Sequence, residues 1–424
     1  MDLSTRLRLL DLIRVGTAAD TAHRAADRAL RKAYGAELTS WCELSLWRRH
    51  MDSSTSPADT AAHLAQAADT HRDRTERTNA ARAKWLRTRT AAQRADRHLG
   101  RQVARHAGRR TGGQGRPVGG RAQLATGLLE GLAAAPVELI RAAHAICVQS
   151  SAGKDSVVAL HRVVQWAKKA GCLDKVVVVH ADVGAEAEYP GVRELAEQQA
   201  ERYGLRFIVV KADIGFLGMV AKRGMWPDAQ NRLCTSTLKR DVAAKLFTEI
   251  VNALGLDEQA IILNCLGIRA AESTARSKKH QLAIDHRASN GRRLVLTWHP
   301  IFHLSEHDIW QTIADETLDY HPVYDTLIPR LSCIFCILAP FDMLARAVRL
   351  CWALGLDTPD TYLELETRIG HRFKHQFSLA QVVQEATRLH QEEGPLTWSR
   401  GDAIRHHLGE DAADGYLQRL ALAA

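Results

Sequence analysis

The sequence lacks any apolar run close to the roughly 18 residues that a membrane span requires. Residues 1–6 also lack the basic and then apolar layout of a secretory signal. Its eight cysteines are not densely or regularly spaced, which is typical of thiols kept reduced rather than of a disulfide framework. We therefore expect a cytoplasmic protein without membrane attachment.

Acidic residues are scarce in one part of the chain. Residues 71–121 contain 15 Lys and Arg against 3 Asp and Glu, and Asp96 is the only acid between Arg77 and Arg121. This surplus exceeds the net charge of +9 for the whole chain, so one segment holds all of the positive excess. Such a concentration of charge indicates a partner of opposite sign rather than a particular fold.

The length of 424 residues suggests two or three domains. We predict a helical, Arg-rich region over residues 1–110 and a flexible, Gly-rich linker over residues 111–121. An α/β domain then covers residues 122–340, and a helical region covers residues 341–424.

Short β-branched runs alternate with helical stretches in the α/β region. Strands buried on both faces and separated by helices indicate a doubly wound parallel sheet, which binds ligands at the carboxyl ends of its strands. The strand-like runs are 145–148, 175–179, 206–210, 260–263 and 293–296.

The most informative stretch is Ser151-Ala152-Gly153-Lys154-Asp155-Ser156, between the first of these runs and a helix predicted to open at Asp155. A small turn from strand to helix presents backbone N–H groups and the positive end of the helix to an anion. The spacing excludes a Walker P-loop, because Lys154 is followed by Asp155 and no Gly lies five positions before Gly153. This turn is therefore interpreted as a different kind of phosphate-binding loop.

Four further segments follow the loop in order and give the chain a family resemblance. From about Ile146 to about Phe377, the sequence resembles the phosphoadenosine-phosphosulfate-reductase-like branch of the N-type (PP-loop) ATP pyrophosphatases. The resemblance implies a sheet of the adenine nucleotide alpha hydrolase-like, HUP type. The four segments are His180-Ala181-Asp182-Val183-Gly184, Arg232-Leu233-Cys234-Thr235 with Lys239, Gly267-Ile268-Arg269-Ala270-Ala271-Glu272-Ser273 with Arg276, and Ser332-Cys333-Ile334-Phe335-Cys336.

Cleavage of ATP between its α and β phosphates requires neutralisation of the departing pyrophosphate. Lys154 and the loop amides and hydroxyls suit the pyrophosphate, and Asp155 suits either Mg²⁺ or stabilisation of the loop. Asp182 can be an ordinary strand-end turn residue, and the two arginines can be surface charges. The candidate nucleotide-binding residues are Ser151, Ala152, Gly153, Lys154, Asp155, Ser156, Asp182, Arg269 and Arg276.

Three cysteines are candidates for the second half of the reaction. Cys333 and Cys336 form a C-x-x-C pair, and the family resemblance brings Cys234 close to the nucleotide. Three converging thiolates can hold an iron–sulfur cluster, with zinc or free thiols as alternatives. Cys351 is the candidate fourth ligand, and Lys154, Asp155 and Cys234 are the candidate catalytic residues.

Arginines follow the predicted basic helix and can line a nucleic-acid backbone. The alternative is a helix that docks on an acidic surface of the same protein or of a second copy in a homo-oligomer. The candidate nucleic-acid-binding residues are Arg82, Arg87, Arg89, Arg94, Arg97, Arg101 and Arg105.

These features predict an ATP pyrophosphatase that adenylates DNA or RNA and then delivers sulfur from a donor such as a cysteine desulfurase. The sequence looks most like the sulfur-transfer proteins of DNA phosphorothioation, with tRNA thiolation as an alternative. A sulfonucleotide reductase is disfavoured, since no cysteine follows Cys351 and Cys234 is followed by Thr235. A non-enzymatic module that senses nucleotide and binds nucleic acid is the remaining alternative. The modified position stays open.

Overall fold

The structure is a computed structural model in which residues 22, 24–26, 28–29, 32–33, 57–108 and 129–423 are described. Side chains of the long helix over 57–108 are described between residues 65 and 95, except 67 and 71. The predicted linker over 111–121 lies outside these residues.

The described elements alternate between helix and strand over the middle of the chain and are helical after residue 300. They follow in the order α1 (Pro57–Gly108), α2 (Pro136–Ala142), β1 (Ala145–Ser150), α3 (Lys154–Ala170), β2 (Val176–Asp182), α4 (Val192–Glu201), β3 (Arg206–Lys211), α5 (Phe216–Arg223), α6 (Asp241–Leu254), β4 (Ala260–Cys265), α7 (Thr274–Ser277), β5 (Leu282–Ile284), β6 (Arg293–Trp298), α8 (Glu306–Asp315), α9 (Phe341–Ala353), α10 (Thr358–Ile369), α11 (Leu379–Glu393), α12 (Asp402–Leu408) and α13 (Glu410–Ala423).

Shorter helical segments connect some of these elements. Leu233–Thr235 and the π-helical Ser236–Arg240 run directly into α6. The 3-10 segments are Leu173–Lys175, Ala270–Glu272 and Pro322–Thr326.

The six strands form one sheet in the order β3-β2-β1-β4-β6-β5. β1 pairs in parallel with β2 and with β4, and β2 pairs in parallel with β3. The residues of β1 and β4 are buried at all but one position each, because helices cover both faces of such a sheet. The predicted doubly wound α/β fold is confirmed.

The strand order has its switch point between β1 and β4, where strands begin to be added on the other side of β1. The chain runs outward from β1 to β3 and then returns to the other side of β1, where it continues with β4. In open α/β sheets the crevice at such a switch point receives the ligand, because the two loops leaving its strands diverge. The loop after β1 and the loop after β4 are therefore the expected walls of a site.

Gly267 lets these two loops touch. A Cβ atom at this position would lie 2.8 Å from the carbonyl oxygen of Asp155, which is too close for any other residue without a backbone shift. The two walls of the crevice are thus in direct backbone contact at the start of α3.

The described chain separates into two compact units. One comprises Met1–Gly131 with Ile284–Leu294, and the other comprises Leu132–Ala283 with Val295–Ala424. In the second unit, buried residues of α9, α10 and α11 belong to the same hydrophobic cluster as Val183 and Phe216, so the C-terminal helices share a core with the sheet-bearing part. None of the described helices is long and apolar enough to cross a membrane.

Replacing Gly267 with alanine should separate the loops after β1 and β4. We expect Gly267→Ala to lower the free energy of unfolding by about 1–3 kcal/mol, since overpacking against backbone is relieved only by moving it. Chemical denaturation measures this change. Gly131→Ala is the control, because a Cβ at Gly131 meets no atom within 4 Å; equal stability losses in the two variants would contradict the close approach.

Candidate active site

The loop after β1 has a strained turn at its centre. Ala152 adopts a φ of 55°, a left-handed conformation that costs a non-glycine residue about 1–2 kcal/mol. Two serines hold the turn: Ser150 Oγ accepts the Ala152 N–H at 3.2 Å, and Ser156 Oγ donates to the Gly153 carbonyl at 2.8 Å. Strain of this kind persists where the surrounding structure fixes it, as at ligand-binding loops.

The N-terminus of α3 follows directly; its N-cap residue gives no side-chain cap, and the Tyr324 hydroxyl accepts the Lys154 N–H at 3.0 Å. Gly153 is its N-cap residue, and the helix starts at Lys154, one residue earlier than the sequence indicated. The first amides of a 17-residue helix lie at the positive end of its dipole. This positive end of α3 is where the sequence predicts a phosphate cradle.

Lys154 is almost completely buried, with 2% of its surface exposed. Its Nζ donates to the Pro329 carbonyl at 2.8 Å and lies 3.4 Å from Asp155 Oδ2 and 3.5 Å from Glu306 Oε1. Burial by itself lowers the pKa of Lys154, but Tyr324, Asp155 and Glu306 raise it by more, so the net shift is upward. The side chain is a buried ammonium that keeps its charge.

Arg269, on the loop after β4, pairs with the same carboxylates. Its Nε lies 2.5 Å from Asp155 Oδ1, and its Nη2 lies 4.0 Å from Glu306 Oε2. The arginine is only 3% exposed. The Asp155 carboxylate thus joins the loop after β1 to the loop after β4.

Arg276 lies farther along the same segment and contacts Glu272 rather than the loop after β1. The Glu272 carboxylate also accepts the Arg269 N–H at 2.9 Å and lies 3.8 Å from Arg330 Nη2. This buried acid therefore organises three arginines around the loop after β4.

Asp182 ends β2 and holds the turn that follows it. Its Oδ1 accepts the Gly184 N–H at 2.8 Å, and its Oδ2 lies 3.1 Å from Lys211 Nζ. Burial raises the pKa of Asp182, but the bonds from Gly184 and Lys211 lower it by more. In this structure Asp182 has the contacts of a strand-end turn residue.

His180, on the same strand, connects the loop after β1 to an acid that the motifs did not reveal. Its Nδ1 lies 3.1 Å from the Ser150 carbonyl oxygen, and its Nε2 lies 3.5 Å from Glu188 Oε2. The histidine is 1% exposed, so this link is shielded from water.

Cys234, Cys333 and Cys336 lie within electrostatic reach of one another. Burial raises the pKa of Cys333 to about 11; the Lys239 ammonium lowers it, while Cys336, Cys234 and Glu188 raise it. The pKa of Cys234 is also raised, by burial first and by Cys336 among its neighbours. All three residues are partly exposed and unbridged. The three predicted thiols therefore belong to one cluster.

Cys351 is completely buried in α9, and burial raises its pKa to about 12. It and Cys333 both raise the pKa of Tyr189, so the two thiols have a neighbour in common. Within the described ranges, no three His, Cys, Asp or Glu side chains are arranged to hold a metal ion. The thiols suit iron or zinc in kind, but in this structure they do not have the geometry of a metal site.

The basic residues of α1 form an exposed charged surface. Arg82, Arg87, Arg89 and Arg94 are all exposed, and the Arg89 guanidinium lies 5.0 Å above the ring of Trp85. The side chains of Arg97, Arg101 and Arg105 lie outside the described part of the chain.

Residues 145–339 match the family described as "Phosphoadenosine phosphosulfate reductase domain". This segment is a phosphoadenosine phosphosulfate reductase domain. It contains both loops of the crevice and all three clustered thiols, so the expected family resemblance is confirmed over this range. No curated protein is significantly similar to the chain.

Two solved structures are similar to this chain. One is a phosphoadenylyl-sulfate (PAPS) reductase from Candida auris in a phosphate complex, with 16% identity over 45% of this chain and 83% of that chain and a TM-score of 0.31. The other is the U34-tRNA thiolase NcsA from Methanococcus maripaludis with its [4Fe-4S] cluster, with 12% identity over 67% of this chain and 90% of that chain and a TM-score of 0.28.

Several residues of the reductase domain contact the site without belonging to a sequence motif. Tyr324 and Pro329 contact Lys154 across more than 160 positions of sequence, and Glu306 contributes a carboxylate from the first turn of α8. A tyrosine and a proline carbonyl give no recognisable spacing, so the sequence had no signal for them. Glu272 lies inside one motif segment and Glu188 follows another, but the sequence indicates no partner for either carboxylate.

The end of β6 supports the loop after β4 and should make stability depend on pH. Burial lowers the pKa of His299 to about 4, against the hydrogen bond to the His280 carbonyl that raises it. Between pH 6.5 and 4 the unfolded histidine binds a proton that the folded one does not. The free energy of unfolding therefore decreases as the pH is lowered through this range, by up to about 1.4 kcal/mol per pH unit. We expect His299→Gln to flatten the decline measured by urea unfolding.

The exposed neighbour provides the control, since His303→Gln changes a side chain that meets solvent in both states. An unchanged slope in His299→Gln, or an equal change in both variants, would show that His299 is not the buried neutral group.

Proposed function

We propose that this chain is an ATP pyrophosphatase that adenylates a nucleic-acid substrate for sulfur transfer, with DNA phosphorothioation as the process it serves best. The observation that carries the proposal is the buried Lys154 ammonium at the N-terminus of α3, beside Arg269 and at the switch point of the sheet. Two buried cations and a positive helix end fit the charge of a pyrophosphate leaving group.

The charges around the loop also favour magnesium as a co-ligand. Asp155 and Glu306 offset Lys154 and Arg269, so the site is close to neutral before a nucleotide arrives. A triphosphate with Mg²⁺ supplies a divalent cation that compensates the carboxylates, and its phosphate oxygens are acceptors for the ammonium and the guanidinium. ATP with Mg²⁺ is therefore the proposed substrate form.

In the proposed reaction, an acceptor oxygen of the nucleic acid attacks the α-phosphorus of ATP. The bond from the α-phosphorus to the bridging oxygen breaks, pyrophosphate leaves towards the N-terminus of α3, and AMP stays on the acceptor. Lys154 and Arg269 would hold the leaving group, and the contact between the loops after β1 and β4 would exclude water from it.

Cys234, Cys333 and Cys336 would serve the sulfur-transfer half. Their chemistry suits an iron–sulfur cluster, which when bound would supply a site for the incoming sulfur. Burial raises the pKa of both Cys234 and Cys333, and the Lys239 ammonium acts against this rise without cancelling it. Zinc and free thiols are the alternatives, and Cys351 is the proposed fourth ligand.

Reduction of a sulfonucleotide is the second candidate, and the match to a phosphoadenosine phosphosulfate reductase domain favours it. The two functions differ in their products. ATP turnover releases pyrophosphate, whereas reduction of phosphoadenosine phosphosulfate releases sulfite. Stimulation of pyrophosphate release by DNA or by tRNA separates DNA modification from tRNA thiolation, and binding of ATP without turnover would indicate a sensing module.

Loss of the Lys154 ammonium should abolish pyrophosphate release. We expect Lys154→Met to lower the rate at least about 100-fold, the usual effect of removing a charge that stabilises a transition state, while nucleic-acid binding is retained. A coupled pyrophosphate assay measures the rate. Lys169→Met, an exposed change at the far end of α3, is the control; retained turnover in Lys154→Met would overturn the loop assignment.

Iron and labile sulfide should depend on the thiol cluster. Protein purified without oxygen should absorb in the visible region, and Cys333→Ser should remove that absorbance together with the bound iron. Cys172→Ser, which lies outside the cluster, should keep both. A colourless wild-type protein with stoichiometric zinc would replace the cluster with a zinc site.

The exposed arginines of α1 should determine the affinity for nucleic acid. Changing Arg82, Arg87, Arg89 and Arg94 together to glutamine should weaken binding and reduce the slope of log K against log salt by up to about 4. Fluorescence anisotropy at several salt concentrations measures both quantities. Arg72 and Arg77 already pair with Asp69 and Asp73, so their double change to glutamine is the matched control. Equal slopes in all three proteins would assign α1 to protein contacts.

A further inference from the structure

The hydroxyl of Tyr324 joins two segments that have different tasks in the proposed reaction. It accepts the Lys154 N–H at 3.0 Å and the Leu331 N–H at 3.2 Å. The first belongs to the phosphate loop, and the second lies two residues before Cys333. Because a hydroxyl oxygen has two acceptor lone pairs, these bonds use its full capacity as an acceptor.

The ring of Tyr324 is held in place by its neighbours. It packs at right angles to Trp310 with a centroid distance of 5.5 Å, and burial raises its pKa more than the Lys154 ammonium lowers it. The Tyr324 hydroxyl therefore stays protonated and has a fixed position in the core of the reductase domain. Leu327, three residues later, has a φ of 60° and ends the 3-10 turn, so the chain changes direction there.

Residues 328–331, which we term the strap, follow this turn and cover Lys154. The Pro329 carbonyl accepts a hydrogen bond from the Lys154 ammonium at 2.8 Å, and the Arg330 guanidinium donates one to the Glu272 carbonyl at 3.2 Å. On the other side of Cys333, the Ile334 N–H donates to the Ala187 carbonyl at 2.8 Å. Cys333 is thus fixed between the strap and the segment that carries Glu188.

The Lys154 ammonium has three N–H donors, and three acceptors surround it: the Pro329 carbonyl, Asp155 and Glu306. A phosphate at the N-terminus of α3 must replace at least one of them. Of these acceptors only the Pro329 carbonyl carries no net charge, so it attracts the ammonium less than a carboxylate or an incoming phosphate does at the same distance. Nucleotide binding should therefore remove the Pro329 contact first.

We propose that Tyr324 is a positioning residue that couples occupancy of the phosphate loop to the cysteine cluster. Phosphate binding at the N-terminus of α3 takes the Lys154 N–H from the Tyr324 hydroxyl and the Lys154 ammonium from Pro329, which loosens the strap and opens the segment that contains Cys333. A sulfur donor then reaches the thiols only after nucleotide has bound to the phosphate loop. This inference rests on the proposed function in one respect, namely that the loop binds ATP.

Hydrogen–deuterium exchange of the strap tests the coupling, because the Leu331 amide is itself one of the two bonds to Tyr324. Ligand binding ordinarily slows exchange near a site. Here we expect Mg²⁺ with α,β-methylene-ATP to speed exchange of residues 328–334 by roughly 3- to 10-fold, the equivalent of one lost hydrogen bond. In Tyr324→Phe, exchange should be fast without nucleotide and should change little when nucleotide is added.

Tyr320→Phe is the matched control. It removes another buried tyrosine hydroxyl from the same segment, one that donates to Asp325 at 2.7 Å and does not touch the phosphate loop. It should keep the slow exchange and the acceleration by nucleotide. If Tyr324→Phe fails to fold, Lys154→Met provides the second variant, since it removes the Pro329 contact and should also give fast exchange without nucleotide.

Slow exchange of the strap in both Tyr324→Phe and Lys154→Met would overturn the coupling, as would equal effects of Tyr324→Phe and Tyr320→Phe. Nucleotide binding to the wild type is measured separately by calorimetry. Absence of binding would refute the proposed function alone, because the comparison of the variants without nucleotide still decides whether Tyr324 holds the strap. Binding without any acceleration would refute the coupling alone.

Discussion

The contacts of the buried Lys154 ammonium are the interactions on which the rest of the site depends. The ammonium lies where the first turn of α3, the carboxylates of Asp155 and Glu306 and the carbonyl of Pro329 meet. A buried cation is tolerated only when it is paired and hydrogen-bonded, so removing one partner leaves the others uncompensated. The fold supplies these partners from three separate parts of the chain, and any ligand of the loop has to compete with them.

The sheet topology explains why these parts meet. The loops after β1 and β4 lie side by side because these strands are parallel neighbours at the switch point of the sheet, and Gly267 allows their backbones to touch. Arg269 then reaches Asp155, and Glu272 fixes the loop that carries Arg269. The charged residues of the phosphoadenosine phosphosulfate reductase domain thus hold one another in place at the switch point of the sheet.

The sequence was sufficient for those features that depend on local pattern. Fully apolar, β-branched runs predicted β1, β2, β3, β4 and β6, whereas β5 has three residues and leaves no readable period. The position of the phosphate loop followed from a glycine-bearing turn between strand and helix. The contact of Tyr324 with Lys154 did not follow, because it spans 170 positions and depends on how the C-terminal half folds back over the loop. The convergence of Cys234 with Cys333 and Cys336 came from the family resemblance, and the raised pKa of Cys333 is consistent with it.

A crystal structure with Mg²⁺ and α,β-methylene-ATP tests the central claim most directly. The account predicts phosphate oxygens at the N-terminus of α3, bound by the Lys154 ammonium, with the Pro329 carbonyl no longer in contact with it. A nucleotide bound elsewhere, with Lys154 still donating to Pro329, would contradict the account.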